Sequence, residues 1–143
     1  MPVDLILNEI IGLERSALDR WIHLDPRGYL DLYSLDVTYF DPFTDSRVDG
    51  RDAIRVRMEP MLAMQPPFSN PRYEMLNPQV QQVGGAAVLT FNLVNYGTPL
   101  GGQESVLARW NATEVYGPVD GQWKIIHSHW SFVQPQVNPP QLD

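Results

Sequence analysis

The feature that most constrains the fold of this chain is a change of periodicity about halfway along it. Up to about residue 62, apolar residues recur at steps of three and four, which is typical of amphipathic helices. Four long segments rich in β-branched and aromatic residues follow, at 72–83, 86–96, 104–116 and 123–133. This order predicts an α+β domain in which three N-terminal helices pack on one face of a curved, mainly antiparallel sheet with an open-ended cavity.

The first predicted helix runs from Asp4 to His23, because its apolar residues fall on one face: Ile6, Ile10, Leu13, Ala17 and Trp21. Asp25-Pro26 is a helix-start pattern and predicts a short second helix that includes Tyr33. A strand at 37–41 precedes the third helix, which opens after Asp49-Gly50. Pro60 should kink that helix or end it early.

Composition narrows the class of protein. The 143 residues are enough for one domain, with a proline-rich tail at 134–143. There is no cysteine, and the formal net charge of −7 disfavours contact with nucleic acid. No segment is apolar enough to cross a membrane and the N-terminus has no signal-peptide pattern, so we expect a cytoplasmic protein without membrane contact.

Several segments resemble known families. Asp36–Pro42, where a strand ends in Asp-Pro, and Gly50–Arg55, where Gly-x-x-Ala-Ile-Arg opens a helix, resemble ketosteroid isomerase. The closing segment Trp123–Ser131 resembles the last strand of SnoaL-like proteins and of the association domain of calcium/calmodulin-dependent protein kinase. The resemblance covers about residues 4–133. It implies the cone-shaped fold that these families share with nuclear transport factor two, as a single SnoaL-like domain over 1–143.

Asp41 is the first candidate for a catalytic residue. The resemblance places it where ketosteroid isomerase has its general base, at the end of the first strand and facing the cavity. A carboxylate among aromatic side chains would be partly desolvated, which raises its pKa toward a range useful for proton transfer. The alternative is that Asp41-Pro42 only forms an Asx-type turn that closes the strand.

The oxyanion hole that isomerisation also needs does not carry over. The tyrosine of the isomerase hole corresponds by ungapped counting to Ala17, and its acid falls near 111–113, with Glu114 just beyond. We therefore do not expect steroid isomerisation. Glu114 also occupies the place where the kinase association domain carries a pocket arginine.

His127 and His129 share one face of the last strand, so either a proton shuttle or a pair of metal ligands is conceivable. The resemblance puts Trp130 in the cavity, which sends the histidines to the outer face, where such folds dimerise. No third metal ligand has a recognisable spacing, so we predict neither a metal nor a cofactor. His129 is kept as a second catalytic candidate.

Aromatic and methionine side chains are the candidates for lining an apolar ligand site: Trp21, Tyr33, Tyr39, Met58, Trp110 and Trp130. The sequence thus predicts a protein that binds a small apolar molecule, as an isomerase, cyclase or dehydratase with Asp41 as the general base. The alternatives are a non-catalytic carrier and a homodimeric protein-interaction module of the same fold. A homodimer is expected in each case.

Overall fold

The structure of this protein, a computed structural model, describes residues 3–134, with side chains from Leu5 onward. Its elements in chain order are α1 (Val3–Trp21), α2 (Arg27–Leu32), β1 (Tyr33–Phe40), β2 (Val48–Asp49), α3 (Arg51–Met58), a 3-10 helix (Glu59–Ala63), β3 (Ser69–Val83), β4 (Ala86–Thr98), β5 (Ser105–Val119) and β6 (Gln122–Phe132). The predicted α+β class is confirmed. Most of the predicted proline-rich tail, 135–143, lies outside the described residues.

The six strands form one curved, open sheet in the order β2-β1-β6-β5-β4-β3. Strands β3 to β6 pair with their chain neighbours in antiparallel register, while β1 pairs with β6 in parallel. The turn between β5 and β6 contains Asp120 at φ 51° and Gly121 at φ 78°. Positive φ at both central residues matches the right-handed twist of the strands, so the Asp-Gly pair sets this hairpin.

Helix α1 lies on the inner face of the sheet and buries the stripe that its sequence periodicity predicts. The fully buried side chains on this stripe include Ile10, Ala17 and Leu18, whose exposed fractions are 0–1%. They pack in one core cluster with inward residues of β4 and β5, such as Leu89 and Tyr116. Glu14, an ionisable residue on the same stripe, is equally buried.

The structure differs from the prediction at the end of the second helix and agrees with it at the end of the third. Tyr33, predicted in the second helix, is the first residue of β1, because its backbone is extended (φ −66°, ψ 136°) and it pairs with Ile125. Helix α3 ends at Met58, and the chain continues as the 3-10 helix that contains Pro60. A proline lacks the N–H that an α-helix needs at this point, so the predicted early end is confirmed.

Candidate functional site

A cavity of about 260 Å3 lies between α1, the end of β1 and the inner faces of β4, β5 and β6. All six side chains predicted to bind a ligand line it: Trp21, Tyr33, Tyr39, Met58, Trp110 and Trp130. The other lining residues are Leu18, Tyr29, Asp41, Phe43, Leu93 and Asn95. A cavity of about 150 Å3 can hold benzene, so this space fits a somewhat larger molecule. Binding by these residues stays a prediction.

Asp41 lies directly after β1 at the wall of the cavity and is half-buried. Its Oδ2 accepts a hydrogen bond of 2.7 Å from the Tyr39 hydroxyl, and its Oδ1 accepts one of 2.8 Å from the backbone N–H of Phe43. The second bond forms the Asx-type turn. Asp41 can therefore close this turn and line the cavity at the same time. Two of the roughly four acceptor sites of the carboxylate are thereby used, which leaves acceptor capacity for a ligand.

The hydroxyl of Tyr39 is fixed as a proton donor. Burial raises the pKa of Tyr39 far above its usual value, and the negative charge of Asp41 raises this pKa further. The phenol therefore stays protonated at any physiological pH and donates to Asp41.

Two tryptophans form an aromatic wall of the cavity. The rings of Trp110 and Trp130 meet edge to face, with centroids 5.8 Å apart and planes at 89°. The indole N–H of Trp110 donates to Asn95 Oδ1 over 2.7 Å, which holds the ring in place. Because its oxygen is used in this way, Asn95 has its amide nitrogen to offer to a ligand.

Behind this wall, two fully buried glutamates come together that the sequence analysis did not predict as a pair. Glu14 on α1 accepts hydrogen bonds from the hydroxyls of Tyr29 and Tyr116, the latter over 2.7 Å. Glu114 on β5 accepts one at Oε1 from the hydroxyl of Ser128. The two carboxyl groups are themselves within hydrogen-bonding reach of each other.

Electrostatics decides how the pair is protonated. Burial raises the pKa of Glu14 and of Glu114, because a charged carboxylate loses its hydration in the core. The two tyrosine hydroxyls favour the charged form of Glu14, whereas the charge of Glu14 raises the pKa of Glu114 further. The pair therefore favours a retained proton, and the pKa of Glu114 is raised more strongly than that of Glu14. Glu114 Oε2 accepts no hydrogen bond within residues 3–134 and is the oxygen that can carry this proton.

The glutamate pair is connected to the cavity through two of its wall residues. Tyr29, which lines the cavity, donates directly to Glu14. Trp130, which also lines it, donates from its indole nitrogen to Ser128 Oγ over 3.1 Å, and Ser128 donates to Glu114. Any change in the charge of the pair therefore acts on side chains that line the cavity.

The outer face of β6 carries the two histidines. His127 Nδ1 lies 2.7 Å from Thr38 Oγ1, and His129 is exposed beside the ring of Phe40, at 5.2 Å between centroids. Partial burial lowers the pKa of His127. His129 does not line the cavity, so the cavity and this second catalytic candidate lie on opposite faces of the sheet.

Neither a metal-binding cluster nor a membrane-spanning helix is found in the described part of the chain. Within residues 3–134, no three His, Asp or Glu side chains are grouped so that they could hold a metal ion. None of the helices there combines the length and the apolar character that crossing a membrane requires.

The family of this chain follows from comparison with known proteins. Residues 7–134 match the calcium/calmodulin dependent protein kinase II association domain. Because this match spans most of the sequence, the chain belongs to that family, and the resemblance predicted from the sequence is confirmed. No curated protein is similar enough in sequence to count as a relative.

Solved structures agree with this assignment. A protein from Parabacteroides distasonis ATCC 8503, provisionally described as a ketosteroid isomerase, is 39% identical, with a TM-score of 0.72 over 88% of this chain and 86% of that one. The association domain of the C. elegans kinase is 21% identical, with a TM-score of 0.73 over 87% and 93%. A nuclear transport factor two-like protein of unknown function from Pseudomonas putida KT2440 is 25% identical, with a TM-score of 0.66 over 90% and 87%. The chain thus has the fold of ligand-binding and oligomerising domains.

Proposed function

We propose that this protein binds a small, largely apolar molecule in the cavity, with the polar end of the molecule at Asp41. The observation that supports this most is the distribution of polarity: one anchored carboxylate faces a space otherwise walled mainly by aromatic and aliphatic side chains. Binding sites for small molecules typically combine an apolar lining with a few placed polar groups. Asp41 and Asn95 are those groups.

The proposal is tested with a neutral probe that is small enough for the cavity, phenethyl alcohol. Three of the four tryptophans of the chain line the cavity, so tryptophan fluorescence reports binding directly. We expect a saturable change in the unsubstituted protein and a strong loss of it in Leu93→Phe, which fills the cavity at a wall residue that is 2% exposed. Leu76→Phe adds the same atoms at a surface position of β3 and should bind normally.

The outcome that contradicts the proposal is equally specific. If the signal does not saturate, or if a folded L93F protein (verified by circular dichroism) responds like L76F, the cavity is not the binding site.

Catalysis with Asp41 as general base is the second candidate function. It is favoured by the two hydrogen bonds that anchor Asp41 while leaving acceptor capacity toward the cavity. Against it stands the fact that several polar groups that could stabilise a developing oxyanion are already used. The hydroxyls of Tyr29 and Tyr39 and the indole N–H groups of Trp110 and Trp130 all donate to protein acceptors. We therefore rank binding ahead of isomerase-type chemistry.

We also propose that the chain works as a homodimer or larger homo-oligomer through the outer face of β1 and β6. Membership of an association-domain family supports self-assembly. The face itself offers apolar surface: Ile126 is 37% exposed, and Phe40 packs against the neighbouring histidine rings rather than into the core. A sheet face of this kind is covered in most proteins.

A further inference from the structure

Among residues 3–134, the cavity lining contains one carboxylate, Asp41, and no lysine, arginine or histidine. Asp41 forms no salt bridge within residues 3–134. Arg57, at the rim, donates instead to the backbone carbonyl of Phe43, over 3.4 Å. Asp41 therefore faces the cavity without an ion-pair partner among these residues, although the positive charge of Arg57 is near enough to oppose the rise in the pKa of Tyr39 that burial causes.

The aromatic walls of the cavity also favour a positively charged ligand. The face of an indole or phenol ring is negative because of its quadrupole and attracts organic cations. Trp110 and Trp130 contact each other edge to face, at 89° and 5.8 Å between centroids, so a ligand packs beside this pair of rings. Phe43, whose backbone N–H donates to Asp41, adds another ring, with its centroid 6.5 Å from that of Trp110.

From these observations we infer that the natural ligand is an organic cation, an apolar amine or a quaternary ammonium compound, whose charged end lies against Asp41 and whose body packs on Trp110 and Trp130. This inference rests on the proposed binding function and narrows it to one ligand class. An organic carboxylate of the same shape would meet Asp41 with like charge and would be rejected.

The test compares three probes that share a phenyl ring and a two-carbon arm. Phenethylammonium carries a positive end, phenethyl alcohol a neutral one and hydrocinnamate a negative one. Binding is measured by isothermal titration calorimetry on the full chain. We expect the cation to bind more tightly than hydrocinnamate by at least about tenfold, with the alcohol between them.

Asp41→Asn then separates the local charge from the general acidity of the protein. We expect D41N to weaken binding of the cation by about tenfold or more and to change binding of the alcohol by less than about threefold. Asp45→Asn removes the same charge from an exposed position in the same loop and should leave all three affinities nearly unchanged. If D41N does not fold, the order of the three probes in the unsubstituted protein decides the question.

The possible outcomes distinguish the two proposals. If hydrocinnamate or the alcohol binds as tightly as the cation, the inference of a cationic ligand is overturned while the cavity remains a binding site. If none of the three probes binds, the proposed binding function fails as well.

Discussion

The hydroxyl of Tyr116 on β5 donates a hydrogen bond of 2.7 Å to Glu14 Oε1 on α1, and both residues have exposed fractions of 0%. The long helix and the centre of the sheet are thus joined by a polar bond in the middle of the core. Tyr29 supplies the other donor to Glu14, from α2. A buried carboxyl group without such donors would destabilise the fold, so these two tyrosines offset the burial of Glu14.

The first prediction concerns this bond. Tyr116→Phe removes one hydroxyl and leaves Glu14 Oε1 buried without its donor, so the free energy of unfolding should fall by about 1–3 kcal/mol. Urea denaturation measures this loss. Tyr73→Phe is the matched control, since the Tyr73 hydroxyl donates to Asp19 at the surface over 2.6 Å and water can replace it. A loss in Y116F no larger than that in Y73F would show that this buried hydrogen bond adds no stability of its own.

The second prediction is a dependence of stability on pH. The native pair keeps a proton on Glu114 at pH values where a glutamate of the unfolded chain, with a pKa near 4.5, has lost it. Unfolding then releases a proton, so stability is fully present below that pKa and is lost as pH rises toward the raised native pKa. The slope in this range reaches about 1.4 kcal/mol per pH unit for one proton.

Glu114→Gln tests this because glutamine imitates the protonated acid: its oxygen can accept from Ser128 and its amide can donate to Glu14. We expect the free energy of unfolding to fall less between pH 5 and pH 8 in E114Q than in the unsubstituted protein. The difference between the two proteins should grow over this range by roughly the loss of stability that proton linkage predicts. Glu9→Gln makes the same charge change at an exposed site of α1 and should leave the slope as it is. Parallel pH profiles for E114Q and the unsubstituted protein would rule out the retained proton.

The sequence predicted the fold better than it predicted the polar core. Periodicity identifies elements because burial repeats with helix and strand geometry, and the Asp120-Gly121 turn adds a local backbone requirement. Tyr33 was assigned to the wrong element because the second helix and β1 follow each other without a loop. Element boundaries depend on tertiary pairing, here that of Tyr33 with Ile125, which no local pattern contains.

The glutamate pair was missed for a different reason. Glu14 lies four residues after Ile10 and three before Ala17, so it falls on the apolar stripe of α1. Glu114 lies two residues before the buried Tyr116, on the inward positions of β5. Each position is a recognisable signal by itself, because charged residues seldom stand on a buried face without a partner. Their pairing across 100 positions of the chain depends on how α1 crosses the sheet, which the sequence pattern does not specify.

The cavity-lining residues were predictable because the resemblance placed Asp41 and Trp130 at the cavity and the composition supplied the other aromatic candidates. Asp41 follows the end of β1, and Trp110 and Trp130 lie on inward-facing positions of β5 and β6. The resemblance to ketosteroid isomerase supplied the expectation that this end of the sheet opens into a cavity. The anchoring bond from Tyr39 to Asp41 was not predictable, since it needs the side-chain geometry at the strand end.

The third prediction concerns self-assembly. Ile126 is 37% exposed on the outer side of β6, a central strand of the sheet, and a lysine there can extend into solvent in the single chain. In an interface that uses this face, the same lysine would bury a charge without a partner, so Ile126→Lys should convert an oligomer into monomers. Sedimentation velocity at micromolar concentration measures the change, and the far-ultraviolet circular dichroism should not differ between the two proteins.

The matched control places the same substitution away from the proposed interface. Val83 is 70% exposed at the end of β3, the strand at the far edge of the sheet, so Val83→Lys adds an equal charge where no partner is expected. If V83K and the unsubstituted protein sediment as the same oligomer while I126K sediments as a monomer, the outer face of β6 is the contact surface. Equal dissociation by both lysines would indicate a general charge effect. An oligomer that tolerates I126K would require assembly through another surface, and a monomeric unsubstituted protein would contradict the proposed assembly altogether.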